Sequence, residues 1–542
     1  MSGEGRHSPA SGDEPTHRAR AAGGRGSVGR GLGLGLGLGL VLTLGLGLGL
    51  AACGPDAEPQ PGGSSGREVS SPAAGANLVI ISLDTLRSDA ISPYGGPKAI
   101  SPVLQAFADE AVLFSHARAA APQTAPSHMS LFTSVYPSAH NVQNVQHGTD
   151  PVTGRKGPLI QPLPPSIPTL AEILKAAGYR TVGLTDGGNL NAAHGFPRGF
   201  DHYSLDLSGA WAQVDDGKTW LKDLTAGDQP WFMFWHTYEI HAPYFAPAEY
   251  VDRWAPKEYD GLLAGVLERF EGLDFKQRFA AMRSVFWKDK ADFGWLESAY
   301  LHGLYKAGIE FTDEALGSLL DDMRAQGVFE NSIVVITSDH GEEFFEHGQW
   351  QHDQLYEECL RVPLMVRLPG GLGGGTRLDT PVSLIDLVPT LLDLMELDPA
   401  ELTLPGPARF HGASLATSIL EGTEPEAKPI YSEYRADRKG GPLYDWQVAI
   451  HNQGLKYLVD EVRGGRARLF DLSKDDDEQH DVLGKRPDMA GRFEALHAHY
   501  KAELEAWENL ARMQGGATLD CDQLRALVEL GYLDGSVLSD CD

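Results

Sequence analysis

The sequence predicts an α/β fold: a mostly parallel sheet flanked by helices, followed by a smaller C-terminal antiparallel-sheet subdomain. Three observations carry this. Short apolar, β-branched runs alternate with helix-period segments across residues 77–395, as expected for a sheet buried on both faces. Polar residues stand directly after several of those runs, where ligands bind in such sheets. Beyond residue 425 the pattern changes to short strand-like segments separated by turns.

The first run, Asn77-Leu78-Val79-Ile80-Ile81-Ser82-Leu83, has the length of a buried strand and ends in Asp84. Helical periodicity follows at 101–110. The stretch from Pro168 to Val182 reads as a helix, a glycine stop at Gly178 and a strand, with Thr169 as the N-cap. Trp231–Trp235 is the next strand, followed by His236, and Asn331–Ser338 is another, ending in Asp339-His340-Gly341. Residues 245–300, rich in Trp, Phe, Lys and Asp, read as an insertion over the pocket that sets specificity. Cys359 lies in an apolar-periodic segment and reads as a small core residue. Segments 430–433, 447–450, 454–459 and 466–472 make the antiparallel sheet, and 489–507 a closing helix.

A chain of 542 residues, 42% hydrophobic, is long enough for one large domain and a smaller one. Its formal charge of −29 repels phosphate backbones, which argues against nucleic acid as a partner. Residues 31–52 alternate Gly and Leu and end Leu50-Ala51-Ala52-Cys53 behind an arginine-bearing flank, the layout of an export signal. The ending resembles the lipobox of bacterial lipoproteins, in which Cys53 is acylated and becomes the first mature residue. The alternative is an uncleaved membrane helix, against which alternating glycine counts. The expected organisation is therefore a lipoprotein signal peptide at 1–52, a flexible linker at 53–76 and a catalytic domain at 77–425. The C-terminal subdomain at 426–510 and an acidic tail at 511–542 follow. The expected location is the bacterial cell envelope, periplasm or outer membrane, with the lipid anchor as the membrane contact. Export implies an oxidising compartment; there Cys521 and Cys541 either pair, for about 3 kcal/mol in the chain-entropy model, or stay free.

The central motif is Gln123-Thr124-Ala125-Pro126-Ser127-His128-Met129-Ser130-Leu131-Phe132-Thr133. It resembles the nucleophile signature of the sulfatase family, Cys/Ser-x-Pro-Ser-Arg-x-x-x-Leu-x-Thr-Gly. Further blocks recur in the family's order: Ile81 to Arg87, Ala171 to Thr181, His236 to Tyr244, Ser338 to His352, Leu360 to Leu364, and a C-terminal turn at Leu469 to Glu478. The resemblance covers roughly residues 76–484. It implies the alkaline-phosphatase superfamily fold and metal-assisted transfer of a sulfuryl or phosphoryl group. In that family the first motif residue is oxidised to formylglycine, which requires Cys or Ser and usually Arg four residues on. Thr124 and His128 occupy those positions. Threonine cannot become formylglycine, so no formylglycine is expected, and the nucleophile is expected to be a plain alcohol.

For the metal, Asp84 and Asp339 supply carboxylates, His340 an imidazole and Thr124 a hydroxyl, around one divalent ion (Mn, Zn or Ca). The pairs Asp84-Thr85 and Asp339-His340 depart from the family's Asp-Asp and Asp-Asn. The second pattern is similar to phosphonate monoester hydrolases and phosphoglycerol transferases, and the latter also use a Thr nucleophile. A nitrogen ligand moves the preference from Ca²⁺ toward Mn²⁺ or Zn²⁺, and Thr85 reads as a bystander or as a residue supporting a metal ligand. Pro126-Ser127 look like the first turn of a helix whose amide groups favour an anion. The resemblance assigns His241 to protonation of the leaving oxygen and His352 to contact with the substrate's charged oxygens. His128, His236 and His347 are candidate substrate-binding residues, for each of which a structural hydrogen-bonding role is the alternative. The family's Lys-Trp-His grip on sulfate is replaced here by a stretch containing Asp186.

These features imply a metal-dependent ester hydrolase with Thr124 as nucleophile, acting on phosphate, phosphonate or sulfate esters. The expected substrate is a sulfated or phosphorylated small molecule, glycan or lipid head group. Phosphate esters rank above sulfate esters, because a threonine O-sulfate lacks the exit that formylglycine provides. The alternatives are a transferase moving a phospho head group onto an envelope acceptor, and a non-catalytic protein binding sulfo- or phospho-glycans.

Overall fold

The computed structural model describes residues 71–511 except 145, 150–155, 245, 271, 438–443 and 462–465, with a few positions between 521 and 541. The expected leader and Cys53 lie outside the described residues. Among the described residues no helix is long and apolar enough to cross a membrane.

The expected fold class is observed. Strands β1 (Asn77–Leu83), β2 (Val112–Phe114), β3 (Arg180–Thr185) and β4 (His202–Leu205) share one sheet with β5 (Trp231–Thr237), β6 (Ser332–Thr337), β7 (Leu364–Arg367) and β8 (Arg377–Leu378). This eight-stranded sheet runs β8-β2-β7-β6-β1-β5-β3-β4. β1 is parallel to both β5 and β6, whereas β7 is antiparallel to β6 and β2.

Continuous apolar runs are needed because the central strands bury both faces. On β1, Leu78 and Ile80 point into one core and Val79, Ile81 and Leu83 into the other; β5 divides Phe232 and Phe234 from Trp231, Met233 and Trp235 in the same way. Helices α1 (Pro102–Asp109), α4 (Ala210–Leu224) and α5 (Trp295–Ala325) cover one face. Helices α2 (Thr124–Thr133) and α3 (Leu170–Ala176) pack on the other. The predicted cap of α3 is present as a capping box: Thr169 Oγ1 accepts from the Glu172 amide and Glu172 returns the bond to the Thr169 amide. Gly178 then takes φ +94°, the left-handed stop expected between helix and strand.

The C-terminal segments form a four-stranded antiparallel sheet, Ile430–Asp437, Tyr444–Asn452, Leu455–Asp460 and Arg466–Asp471. It is followed by helix α6 (Pro487–Ala511). This sheet docks through buried charge. Glu357 takes ion pairs from Arg118 (2.8 Å), His451 (2.7 Å) and Lys456 (3.3 Å), and Lys456 also reaches Glu478 at 2.9 Å. The family-like turn ending at Glu478 is therefore a structural lock. Cys359 is buried, as expected. Cys521 and Cys541 form a disulfide.

Candidate functional site

Sheet register brings the candidate residues together. Ser82 of β1 pairs with Thr337 of β6 and with His236 of β5, so Asp84 and Asp339 leave neighbouring strand ends on the same edge. His236 is the sixth residue of β5, inside the strand that the sequence alone would stop at Trp235. Helix α2 begins at Thr124 with its N-terminus at this edge, and Ser127 Oγ donates to the Asp339 carbonyl at 2.5 Å. Thr124, Asp84, Asp339 and His340 are all fully buried. Thr124 Oγ1 lies 3.4 Å from His340 Nε2. His340 Nδ1 donates to the Gly341 carbonyl at 2.9 Å, which leaves Nε2 with its lone pair toward the threonine hydroxyl.

Of the two roles expected of Thr85, support of a neighbouring ligand-type residue is the one observed. Its amide donates to Asp339 Oδ1 at 3.3 Å, and its hydroxyl turns back to the Asp84 carbonyl at 2.7 Å. It does this at φ +59°, a conformation that costs a β-branched residue on the order of 1–3 kcal/mol.

Gly341 is required by a close approach. An added Cβ would lie 2.0 Å from the Glu358 carbonyl oxygen. Gly341→Ala is therefore expected to destabilise the fold by about 1–3 kcal/mol and to displace His340, whose ring hangs from the Gly341 carbonyl. Chemical denaturation measures the first effect; an unchanged midpoint would show that the chain absorbs the methyl group without shifting.

Asp84, Asp339 and His340 offer one ligand atom each, all within 4.8 Å of one another. Burial raises the Asp84 carboxyl well above the ordinary range, with Asp339 and Glu342 adding repulsion, and burial raises Asp339 as well. Asp84 Oδ1 and Asp339 Oδ2 are buried without a hydrogen-bond donor. Among the described residues their ion-pair partners are histidines alone. Two buried carboxylates without Lys or Arg need a cation or protons. The donor set of carboxylate oxygens, imidazole nitrogen and hydroxyl fits a divalent ion.

The other predicted histidines divide. His236 Nε2 donates to Asp84 Oδ2 at 3.1 Å. His128 has Nδ1 2.9 Å from the Thr124 carbonyl and 3.3 Å from Asp339 Oδ2, and Nε2 2.8 Å from Ser82 Oγ. Both rings are fully buried, as Thr124 is, and each contacts one of the two aspartates. His347 lies flat on Tyr356 with ring centroids 3.4 Å apart and Nε2 3.4 Å from Glu358; it braces the turn. His241 and His352 do meet, Nε2 to Nε2 at 3.3 Å, and His352 lies against His340 with ring centroids 4.3 Å apart. The leaving-oxygen role expected of His241 needs a proton on Nε2. Here Nδ1 donates to the Ala242 carbonyl at 2.5 Å, and burial lowers the ring to about 3, so the neutral ring presents a bare Nε2.

Asp186, noted from sequence as an acid in the sulfate-gripping stretch, turns inward. It accepts from Gln213, Thr237 and the amides of Ser208, Gly209 and Tyr238. It braces the end of β5. Sequence reasoning missed two charges. Glu342 is fully buried and raised by burial to about 8. Lys290, from the segment read as an insertion, reaches Gln351 Oε1 at 2.6 Å, one residue from His352. No motif marks Lys290, because its position depends on how residues 246–300 pack. That segment also lines a cavity of about 490 Å³ with Tyr259, Tyr300, Met282 and Lys257.

A buried hydroxyl beside carboxylates and an imidazole that could hold a cation, at the carboxyl edge of a layered α/β sheet, is an arrangement suited to processing esters. The chain belongs to the sulfatase family, whose model matches residues 76–397. A second model, N-sulphoglucosamine sulphohydrolase C-terminal, matches residues 345–508. The chain is 27% identical over 468 residues to an ulvan-active sulfatase of Formosa agariphila, covering 79% of this chain and 80% of the relative. It is 24% identical to an N-acetylglucosamine-6-O-sulfatase of Bacteroides thetaiotaomicron, covering 76% and 83%. Among solved structures, a protein in complex with its substrate D-glucosamine-2-N,6-O-disulfate aligns with TM-score 0.62 at 19% identity, over 81% of this chain and 100% of that chain. The phosphonate monoester hydrolase of Agrobacterium radiobacter aligns with TM-score 0.59 at 19% identity, over 82% and 99%.

Proposed function

We propose that this protein is a metal-dependent ester hydrolase in which unmodified Thr124 is the nucleophile, acting on phosphate or phosphonate esters in preference to sulfate esters. The observation that carries this reading is the Thr124 hydroxyl facing His340 Nε2 at 3.4 Å within the Asp84–Asp339–His340 cluster. Asp84, Asp339, His340 and the Thr124 oxygen would hold one divalent ion, Mn²⁺ or Zn²⁺ ahead of Ca²⁺. When bound, such an ion supplies positive charge that lowers the hydroxyl's pKa and offsets charge on the transferring group.

The chain's own residues do the rest. His236 and His128 hold the two aspartates in place, and Thr85 fixes Asp339 through its amide. Lys290 brings a cation to the same edge, and the N-terminus of α2 favours an anionic group there. Thr124 Oγ, its hydroxyl proton passing to solvent, attacks phosphorus as the bond to the leaving oxygen breaks and the alkoxide takes up a proton. Water attacking in line then breaks the Thr124 Oγ–P bond, one proton returning to Oγ and the phosphoryl group leaving with the water oxygen. A threonine O-sulfate has no comparable exit.

Sulfate ester hydrolysis is the second reading, favoured by the names of the relatives, which include sulfatases of ulvan and N-acetylglucosamine. A panel of bis-aryl phosphodiester, aryl phosphonate monoester and aryl sulfate, assayed with Mn²⁺ or Zn²⁺, decides between them. Phosphorus esters are expected to turn over faster. Faster sulfate turnover, with intact Thr124 seen by mass spectrometry, would reverse the order.

A further inference from the structure

We propose that the segment 246–300 docks on an anionic lipid surface, through an apolar patch of Leu262, Trp295 and Leu296 and the basic helix beside it. These side chains are 51%, 76% and 49% exposed, the most exposed large apolar side chains among the described residues. They stand together rather than scattered. Glu297 joins them: Oε1 accepts from the Leu262 amide at 3.2 Å, and Oε2 from the Gly294 amide at 2.9 Å, one residue before Trp295. Its carboxylate is thereby turned inward, 6% exposed, which leaves the outer surface apolar. Large apolar side chains exposed as a group mark an interaction surface, whereas single ones do not.

A chain of rings holds the patch in place. Trp295 meets Phe345 edge-on at 6.1 Å, and Phe345 stacks on Trp350 at 5.2 Å. Trp350 meets Phe293, which packs against Phe286 of the helix Phe275–Asp289. Phe345 takes φ +81°, a left-handed conformation that a bulky side chain adopts only where its surroundings impose it. The rings thus tie the patch to the helix on one side. On the other, Trp350 leads directly into Gln351 and His352 of the site.

Charge selects the occupant. The helix carries Lys276, Arg278, Arg283 and Lys288 against Asp289 alone, with Lys290 next in the chain, in a protein of formal charge −29. The exposed acids nearest the patch in sequence, Asp260 and Asp292, are fewer. A basic helix next to exposed Trp and Leu is the pattern of a lipid-interface element, in which cations attract anionic head groups and apolar side chains enter the acyl boundary. A second copy of the chain fits less well, since a symmetric contact across this patch would bring two basic helices together. A glycan would need hydrogen-bonding groups that Leu262 and Leu296 lack. An acylated Cys53, as expected from the sequence, would keep the body within reach of a lipid surface. Docking would bring the site to phosphorylated head groups, a role that rests on the phosphate-ester reading; the docking itself does not.

The test is quenching of tryptophan fluorescence in the full-length chain by vesicles with brominated acyl chains, made of phosphatidylcholine with or without phosphatidylglycerol. Residues 1–76 contain no tryptophan, so an inserted leader gives no signal. Wild type is expected to be quenched on the anionic vesicles. Trp295→Leu should lose most of that quenching, and so should the double variant Leu262→Asn, Leu296→Asn, which keeps every tryptophan. Lys276→Glu should need at least about fivefold more anionic lipid. Thermal melts check that each variant is folded. An unquenched wild type, quenching retained in the Trp295 and double variants, or equal quenching without phosphatidylglycerol would overturn the proposal. So would a concentration-dependent dimer that the double variant abolishes, or binding to dextran sulfate in place of vesicles. Turnover of a soluble aryl phosphodiester should be equal in wild type and the double variant, so failure of docking and failure of the phosphate-ester reading are read separately.

Discussion

Thr124→Ala is expected to lower phosphodiester turnover by at least about 10³-fold, roughly 4 kcal/mol of transition-state stabilisation, and to leave the fold intact. The large effect follows from chemistry. Alanine deletes the oxygen proposed to attack phosphorus, and among the described residues no other hydroxyl is hydrogen-bonded to His340 Nε2. The small effect on folding follows from position. Thr124 is the first residue of α2, its side chain does not cap the helix, and the helix is seated by Ser127 on the Asp339 carbonyl and by buried Met129, Leu131 and Phe132. Thr124→Ser keeps the oxygen and should retain activity within about tenfold. Steady-state kinetics with both variants, alongside thermal melts, separates nucleophile from scaffold; undiminished kcat in the alanine variant rejects Thr124 as nucleophile.

Removal of the cation, or Asp339→Asn, gives the second large effect. Asp339 is the carboxylate common to the Asp84–Asp339–His340 cluster and to a grouping with His128 and His236, and it is contacted by His128, His340 and the Thr85 amide. Its neutralisation is expected to abolish tight Mn²⁺ or Zn²⁺ binding and most turnover. An ion present at 100 times its dissociation constant stabilises the wild type by about 2.7 kcal/mol, so chelation should lower the wild-type melting temperature and leave that of the variant unmoved.

The pH dependence of the metal-free protein has a definite sign. Burial raises Asp84 well above its ordinary value, raises Asp339, and raises Glu342 from 4.5 to about 8. Each folded acid then holds its proton more tightly than in the unfolded chain. The contribution of these acids to metal-free stability therefore falls as pH rises through the raised folded values. The buried histidines, among them His241 and His340 lowered from 6.5 to about 3, act in the opposite direction below 6.5. The net fall is expected between 6.5 and about 8, where Glu342 still titrates. A cation favours the ionised aspartates and opposes that loss. Thermal melts with and without chelator at both ends of the window check this; a metal-free midpoint that does not fall with rising pH would contradict it.

Much of the frame was legible because it is written in local physics. β1 matches its apolar run, since a strand buried on both faces leaves no polar position in its middle. Thr169 and Gly178 mark the ends of the α3 unit because a cap needs a side-chain oxygen and a left-handed stop favours glycine. The histidines were legible as candidates but not as roles. His128, His236 and His347 have the same chemistry in sequence. Only packing sends the first two beneath the aspartates and the third onto Tyr356. Lys290 carries no motif, and Asp186 changed meaning once its donors came from the turn before α4, the helix itself and the end of β5.

By itself the sequence determined the layered α/β class, the family resemblance and the presence of a plain alcohol at position 124, since these depend on residue identity and near-neighbour spacing. The tertiary structure alone decided which histidines face the buried aspartates, which brace the scaffold, and that His241 and His352 meet Nε2 to Nε2. Those are distances between side chains from separate strands and loops, set by sheet register and buried hydrogen bonds that no local stretch of chain encodes.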